Sequence, residues 1–328
     1  MAIRHAPRMR KFAVLLAVFV MGCGSDGGSN SGDDTPIDAP TGMPDAPPLP
    51  PGYTRLVGRT WSLTPGASDT YRCIRYTVPT DTYITNIVAQ APSGTHHTVL
   101  SIAAGNAAGA DGEYDCMVGS IGRPMLYASG VGTDPLDFPT NVGLKISAGT
   151  QVHLNLHLFN ATDNVLTGDS AILIKTSPTP PPMLAEMVFA GKIVFGIGPG
   201  MHDVIGGCTV QTPYTLFAYW PHMHKIAKHS KLELIRGTAP NPVTTTVLHD
   251  LAYDFNEQKY YKPPAEVSVL QGDRIQVTCS YNNPNTSGSI TFGDSTNDEM
   301  CFTGLYRYPS QNASITQCTD VPGGIPGG

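Results

Sequence analysis

From residue 53 onward the apolar positions fall into short runs bounded by Gly, Pro, Asn, Asp and Ser, and no stretch beyond the N-terminus sustains a helical period. Residues 83–89 and 99–102 are rich in β-formers, residues 151–159 alternate polar and apolar side chains, and residues 171–174 read as a closing strand. Residues 176–182 then break any regular structure, because the consecutive prolines 180–182 cannot sit in a central strand. A second set of strands follows at 188–195, 215–219, 231–235, 267–270, 274–281 and 289–292, with the Asn/Pro/Gly-rich 282–288 as a turn. This pattern predicts an all-β protein. Two tandem antiparallel β-sandwiches, jelly-roll-like, are expected over 53–178 and 183–328 with a cleft between them.

Composition agrees. Across 328 residues, Gly (35) and Pro (29) are plentiful and only 14% of residues are charged. The length suffices for two cores. With a net charge of −6 and no basic patch, nucleic acid is not an expected partner.

Residues 1–23 read as an export signal: Arg4, Arg8, Arg10 and Lys11 precede an apolar stretch, 12–21, too short to span a bilayer. The stretch ends Val20-Met21-Gly22-Cys23, which resembles a bacterial lipobox with Cys23 as the lipidated residue. An ordinary signal peptide or a short anchor is the plainer alternative. Residues 24–52 hold Gly, Ser, Asp and Pro with nothing to form a core, as a tether would. The expected place is therefore the bacterial cell envelope, lipid-anchored, on the periplasmic or outer surface. Setting Cys23 aside leaves Cys73, Cys116, Cys208, Cys279, Cys301 and Cys318, an even set that implies disulfides in an exported chain. Six cysteines allow fifteen pairings, and spacing does not choose among them.

Candidate chemistry lies in the ten histidines. His222 and His224 follow the strand-like 215–219, so a period of two would set both imidazoles on one face and Met223 on the other. His-x-His on a strand also occurs without metal. His96 and His97 are adjacent, and on a regular strand they would face opposite ways. A bend supplied by Ser93-Gly94-Thr95 is needed for both to reach one ion. Without the bend the pair reads as one buried and one solvated histidine. His153 and His157 share a strand face, so periodicity does not decide between them. His229 is most simply a surface residue. Met300 would ordinarily be core filler; as a ligand its thioether favours Cu(I) over zinc, whereas imidazole suits either.

In their order and spacing these segments resemble the type II copper, ascorbate-dependent monooxygenases, over about residues 71–318. His96-His97 look like that family's paired histidines, and Leu156-His157-Leu158-Phe159-Asn160 looks like the segment with the third ligand of the same copper. Phe217-Ala218-Tyr219 with His222-Met223-His224, and Asn297-Asp298-Glu299-Met300-Cys301, look like the segments that hold the second. The resemblance implies disulfides Cys73–Cys116, Cys208–Cys318 and Cys279–Cys301. It implies two copper ions, with ascorbate or a similar one-electron donor as co-substrate, O2, and hydroxylation of a C–H bond in a small organic substrate. His222, His224 and Met300 would be the catalytic, O2-binding set, while His96, His97 and His157 would hold the copper that stores an electron. An arginine that grips a substrate carboxylate in peptide-hydroxylating relatives is replaced by Trp220. Their asparagine and tyrosine beyond the methionine correspond to Phe302 and Gly304. The carboxylate clamp is thus missing, and Trp220 with Phe302 would line a more apolar, roomier pocket for a less polar or aromatic substrate. The alternative is a non-catalytic copper-binding or copper-buffering surface lipoprotein; a zinc-bound or metal-free adhesion module is a further one.

Overall fold

The computed structural model describes residues 48–321 apart from 69, 104–107, 117–123, 131, 238–242 and 296. The expected signal 1–23, Cys23 and residues 24–47 of the tether lie outside the described residues.

The described chain is all-β, as the alternation predicts. A ten-stranded sheet runs in the order Thr54–Leu63, Leu166–Ser177, Thr82–Gln90, Val142–Ile146, Met183–Lys192, Cys301–Tyr308, Tyr214–His222 and Val267–Val269, with two short strands paired at its margins. Its first half shares a core with a five-stranded sheet, in which Ile84, Ile87 and Ile172 meet Leu100, Leu154 and Leu156. Its second half shares another with a four-stranded sheet, in which Val188, Leu216 and Leu305 meet Leu232, Val277 and Tyr281. Burial of this kind is the main term that holds a sandwich together.

The prolines at 180–182 separate Leu166–Ser177 from Met183–Lys192, yet the sheet continues past them. Met183 and Ala185 pair in parallel with Val142 and Leu144, so one ladder crosses from the first half into the second. The strands Tyr214–His222 and Cys301–Tyr308 are consequently covered on both faces. Phe217, Trp220, Phe302 and Tyr306 join the first core, while Leu216, Tyr219 and Leu305 join the second. Burial on both faces explains why 215–219 reads as an unbroken apolar run.

The expected cleft is not seen among the described residues. Instead the segment between Thr244–Ala252 and Val267–Val269 lies across the first half. There Thr133 Oγ1 donates to the Gln258 carbonyl (2.7 Å), the Tyr260 hydroxyl accepts the Ala128 N–H (2.9 Å), and Lys262 pairs with Asp137 (3.5 Å).

Strands at Gly200–Thr209 and Thr244–Ala252 carry little apolar signal, and the sequence does not announce them. In the first, glycine is required by close approach. A Cβ on Gly206 would stand 2.3 Å from the Gly191 carbonyl carbon.

Disulfides join Cys73 to Cys116, Cys208 to Cys318 and Cys279 to Cys301, the pairs that the resemblance implied. The second ties the four-stranded sheet to the C-terminal strand, and the third fixes the residue after Met300.

Candidate metal centres

The first group is built by a β-bulge. The strand Thr95–Ile102 pairs with Gln151–Leu158, and its register shifts between Thr95 and His97, so that His96 is the extra residue. An extra residue turns two neighbours toward one side. Gly94, with φ of 98°, supplies the bend that Ser93-Gly94-Thr95 suggested. His97 pairs across the ladder with His157. The outcome is three imidazoles whose nearest nitrogens lie within 4.8 Å of one another: His96, His97 and His157. His157 lies flat on Tyr71, its cross-strand partner, at 4.7 Å and 6°. His153, buried on the same strand, pairs in register with Arg75 and Ser101 and packs near Tyr114, outside the group.

The second group is assembled from separate segments. His222 is the last residue of its strand, and His224 lies beyond it, their rings 5.3 Å apart at 83°. Met223 points the other way into the second core, fully buried, as alternation required. His224 Nδ1–H donates to the Asp298 carbonyl (3.0 Å), and His222 Nδ1–H donates to Gln258 Oε1 (2.8 Å). A donor role for Nδ1 leaves Nε2 of each ring as the lone pair open to a metal. Met300, buried, lies two residues past Asp298 and takes its backbone setting from the Tyr281 hydroxyl, which donates to its carbonyl (2.6 Å).

Electrostatics favour the neutral form of His97, His222 and His224. Burial, reinforced by the neighbouring imidazoles, holds His97 well below the ordinary histidine value. Burial and His224 lower His222 to about 3, against a smaller opposing effect of Gln258. Burial also lowers His224. Neutral imidazole is the form that binds metal, and a donor set of two imidazoles with the thioether of Met300 would suit copper that visits Cu(I). The clustered nitrogens of the first group fit a metal ion, and the residue types of the second are those of a copper site. Beside it Glu299, 1% exposed, is raised to about 7 by burial despite backbone N–H donors from His224 and Ile226.

Two residues that sequence reasoning missed connect the groups. Gln258 donates from Nε2 to His97 Nε2 (2.8 Å) while its oxygen accepts from His222, so one amide spans both; accepting there puts the proton of a neutral His97 on Nδ1, so that ring has to change tautomer to present Nδ1 to a metal. The Phe255 ring sits 5.2 Å from His96, 5.5 Å from His97 and 6.2 Å from His224. Both lie in a segment without apolar periodicity, so no sequence signal marks them.

Trp220 lies flat on His222 at 4.8 Å and 19°, and its indole N–H is buried without a hydrogen-bond partner among the described residues. Phe302 stacks on Phe189 at 4.7 Å. The room left by Gly304 is taken by Met187 and Phe189, whose atoms would stand 3.4–3.6 Å from an added Cβ. His229 is not part of either group and pairs with Asp250 at the surface (3.0 Å).

Residues 197–322 match the family model of the copper type II ascorbate-dependent monooxygenase C-terminal domain. The chain is 24% identical over 306 residues to the peptidyl-glycine alpha-amidating monooxygenase A of Xenopus laevis, covering 85% of this chain and 31% of that protein. It is 24% identical over 218 residues to the DBH-like monooxygenase protein 1 of Gallus gallus, covering 60% of this chain and 35% of that protein. The chain therefore spans about a third of the length of the curated relatives it matches. The second histidine group thus lies in a segment similar to the C-terminal domain of the copper type II ascorbate-dependent monooxygenases, and the similarity to the Xenopus laevis relative extends across both groups.

Proposed function

We propose that this chain hydroxylates a C–H bond of a small organic substrate with O2 and an ascorbate-like one-electron donor. Copper would be held by His96, His97 and His157 and by His222, His224 and Met300. The observation that supports this reading is that the single amide of Gln258 reaches one imidazole of each group, His97 and His222. Copper, when bound, supplies one-electron chemistry between Cu(I) and Cu(II) and the activation of O2. Overall, R–H and O2 with two electrons and two protons give R–OH and water.

The protein's own residues have separable tasks. Asp298 and Gln258 fix the tautomers of His224 and His222, so that each presents Nε2. Tyr71 holds the plane of His157. Phe255 keeps water from the space between the groups. Trp220, in place of a cation, points to a substrate without a carboxylate, less polar or aromatic, and its unpaired N–H suits a neutral acceptor oxygen. The two-sandwich division at 178/183, export, and a lipid anchor on Cys23 at a bacterial envelope belong to the same proposal.

The test is metal content of copper-reconstituted protein after removal of loose metal, followed by ascorbate-driven O2 uptake. The expected result is about two coppers per chain, falling to about one in Met300→Ile or His157→Ala, with O2 uptake that requires an added organic substrate. Two coppers with no substrate-dependent uptake would instead support a copper-buffering lipoprotein. Zinc, or no metal, would overturn both.

A further inference from the structure

His222 closes its strand, and the next strand starts at Ala227, so the connection 223–226 carries His224 with no ladder to satisfy its backbone. Buried N–H groups left unpaired are costly, so each one here calls for a partner. The Met223 N–H donates to the Tyr253 hydroxyl (3.0 Å), which in turn donates to the Met223 carbonyl (2.7 Å). The His224 N–H donates to Glu299 Oε2 (2.9 Å) and the Ile226 N–H to Glu299 Oε1 (2.9 Å). A buried carboxylate is thereby divided between two backbone donors, one oxygen to each.

Glu299 is itself tied down on the other side. Its N–H donates to the Thr291 carbonyl (3.0 Å), and its carbonyl accepts from the Gly293 N–H (3.2 Å). It stands between Asp298, whose carbonyl holds the His224 ring, and Met300. The same three residues thus orient the His224 ring, fix the His224 backbone and supply the thioether.

We propose that Glu299 is the positioning residue that joins His224 to Met300, preforming this ligand set in the metal-free protein and so setting its affinity for Cu(I). This rests on the copper reading above. Only a carboxylate suits the place. A glutamine offers one acceptor oxygen, and its NH2 would face the second backbone N–H donor to donor. The connection then loses one anchor, and His224 moves relative to Met300. The contacts of Glu299 given above all run to the second group and its own strand neighbours, so the His96, His97 and His157 group should not respond.

The test compares the full chain with Glu299→Gln by Cu(I) competition titration and by X-ray absorption at copper. The variant is expected to bind Cu(I) 10- to 100-fold more weakly at the second group, with unchanged affinity at the first. Its sulfur scattering from Met300 should fall in parallel. Unchanged second-group affinity with full sulfur scattering would overturn the proposal. Should the variant not fold, amide exchange in the metal-free wild type decides. Slow exchange at both His224 and Ile226 supports preformation, and free exchange at either overturns it. Absence of a sulfur-ligated copper in the wild type would overturn the copper reading instead, while the amide measurement would still report on Glu299.

Discussion

The two histidine groups reach similar ends by opposite routes. The first is held by sheet: His97 and His157 are ladder partners, and His96 joins them through a bulge. The second is held by side chains gripping backbone: Tyr253 and Glu299 anchor the connection that carries His224, and only His222 belongs to a strand. A ladder distributes a perturbation over many hydrogen bonds, whereas a gripped connection depends on a few. The first group should therefore yield only to a change in the ladder or its bulge, whereas the second can be lost with a single anchoring side chain.

The largest effect should come from the bulge. A side chain on Gly94 would need a positive φ of 98° and would stand 2.7 Å from Leu166 and 2.8 Å from Trp61. Gly94→Val is expected to cost about 3 kcal/mol in urea unfolding and to remove copper from the first group while leaving the second loaded. Copper loss from both groups would contradict their independence. Next comes Tyr253→Phe, which leaves a buried N–H and a buried carbonyl of Met223 unpaired. It should cost about 2 kcal/mol and weaken Cu(I) binding at the second group only, read by the same titration. An equal loss at the first group would mean the two are coupled through the fold.

Gln258→Met addresses the link between them. It removes the amide from both His97 and His222, and should cost about 1 kcal/mol while leaving two coppers per chain in elemental analysis. Loss of either copper would make Gln258 a requirement for ligation rather than a link. The smallest effect concerns the scaffold under the first group. There Asp169 is held below the usual carboxylate range, first by its hydrogen bonds to Arg55 and against the opposing effect of burial. Because its folded value is depressed, its contribution is present above the unfolded value and disappears as pH falls through the folded one. Arg55→Met should lower stability by about 1 kcal/mol at neutral pH and flatten the acid decline of the unfolding midpoint between roughly pH 5 and 2. An unchanged acid slope would place the sensitivity elsewhere.

Much of this was legible in the residues. Apolar runs located the strands around both groups, since a strand covered on one face alternates and one covered on both does not. Gly94 before two histidines signalled a bend, because a regular strand would have parted them. What the residues did not reveal depends on contacts between distant segments. Gln258 lies 161 positions from His97, in a connection with no period to mark it. The parallel pairing of Met183 with Val142 is hidden behind prolines that locally argue for a break. Glu299 stood inside the segment that resembled the family, yet nothing in its spacing announced a carboxylate shared by two backbone donors.

The parallel pairing of Met183 and Ala185 with Val142 and Leu144 has a mechanical consequence. A sheet that passes from one half into the other acts as a beam, and a beam resists the hinge rotation that two tethered bodies would allow. Rotation would have to shear that ladder, a cooperative loss of hydrogen bonds. The segment bearing Phe255 and Gln258, by contrast, is hung from Gly130 and Thr133 by a few hydrogen bonds and is no part of that beam.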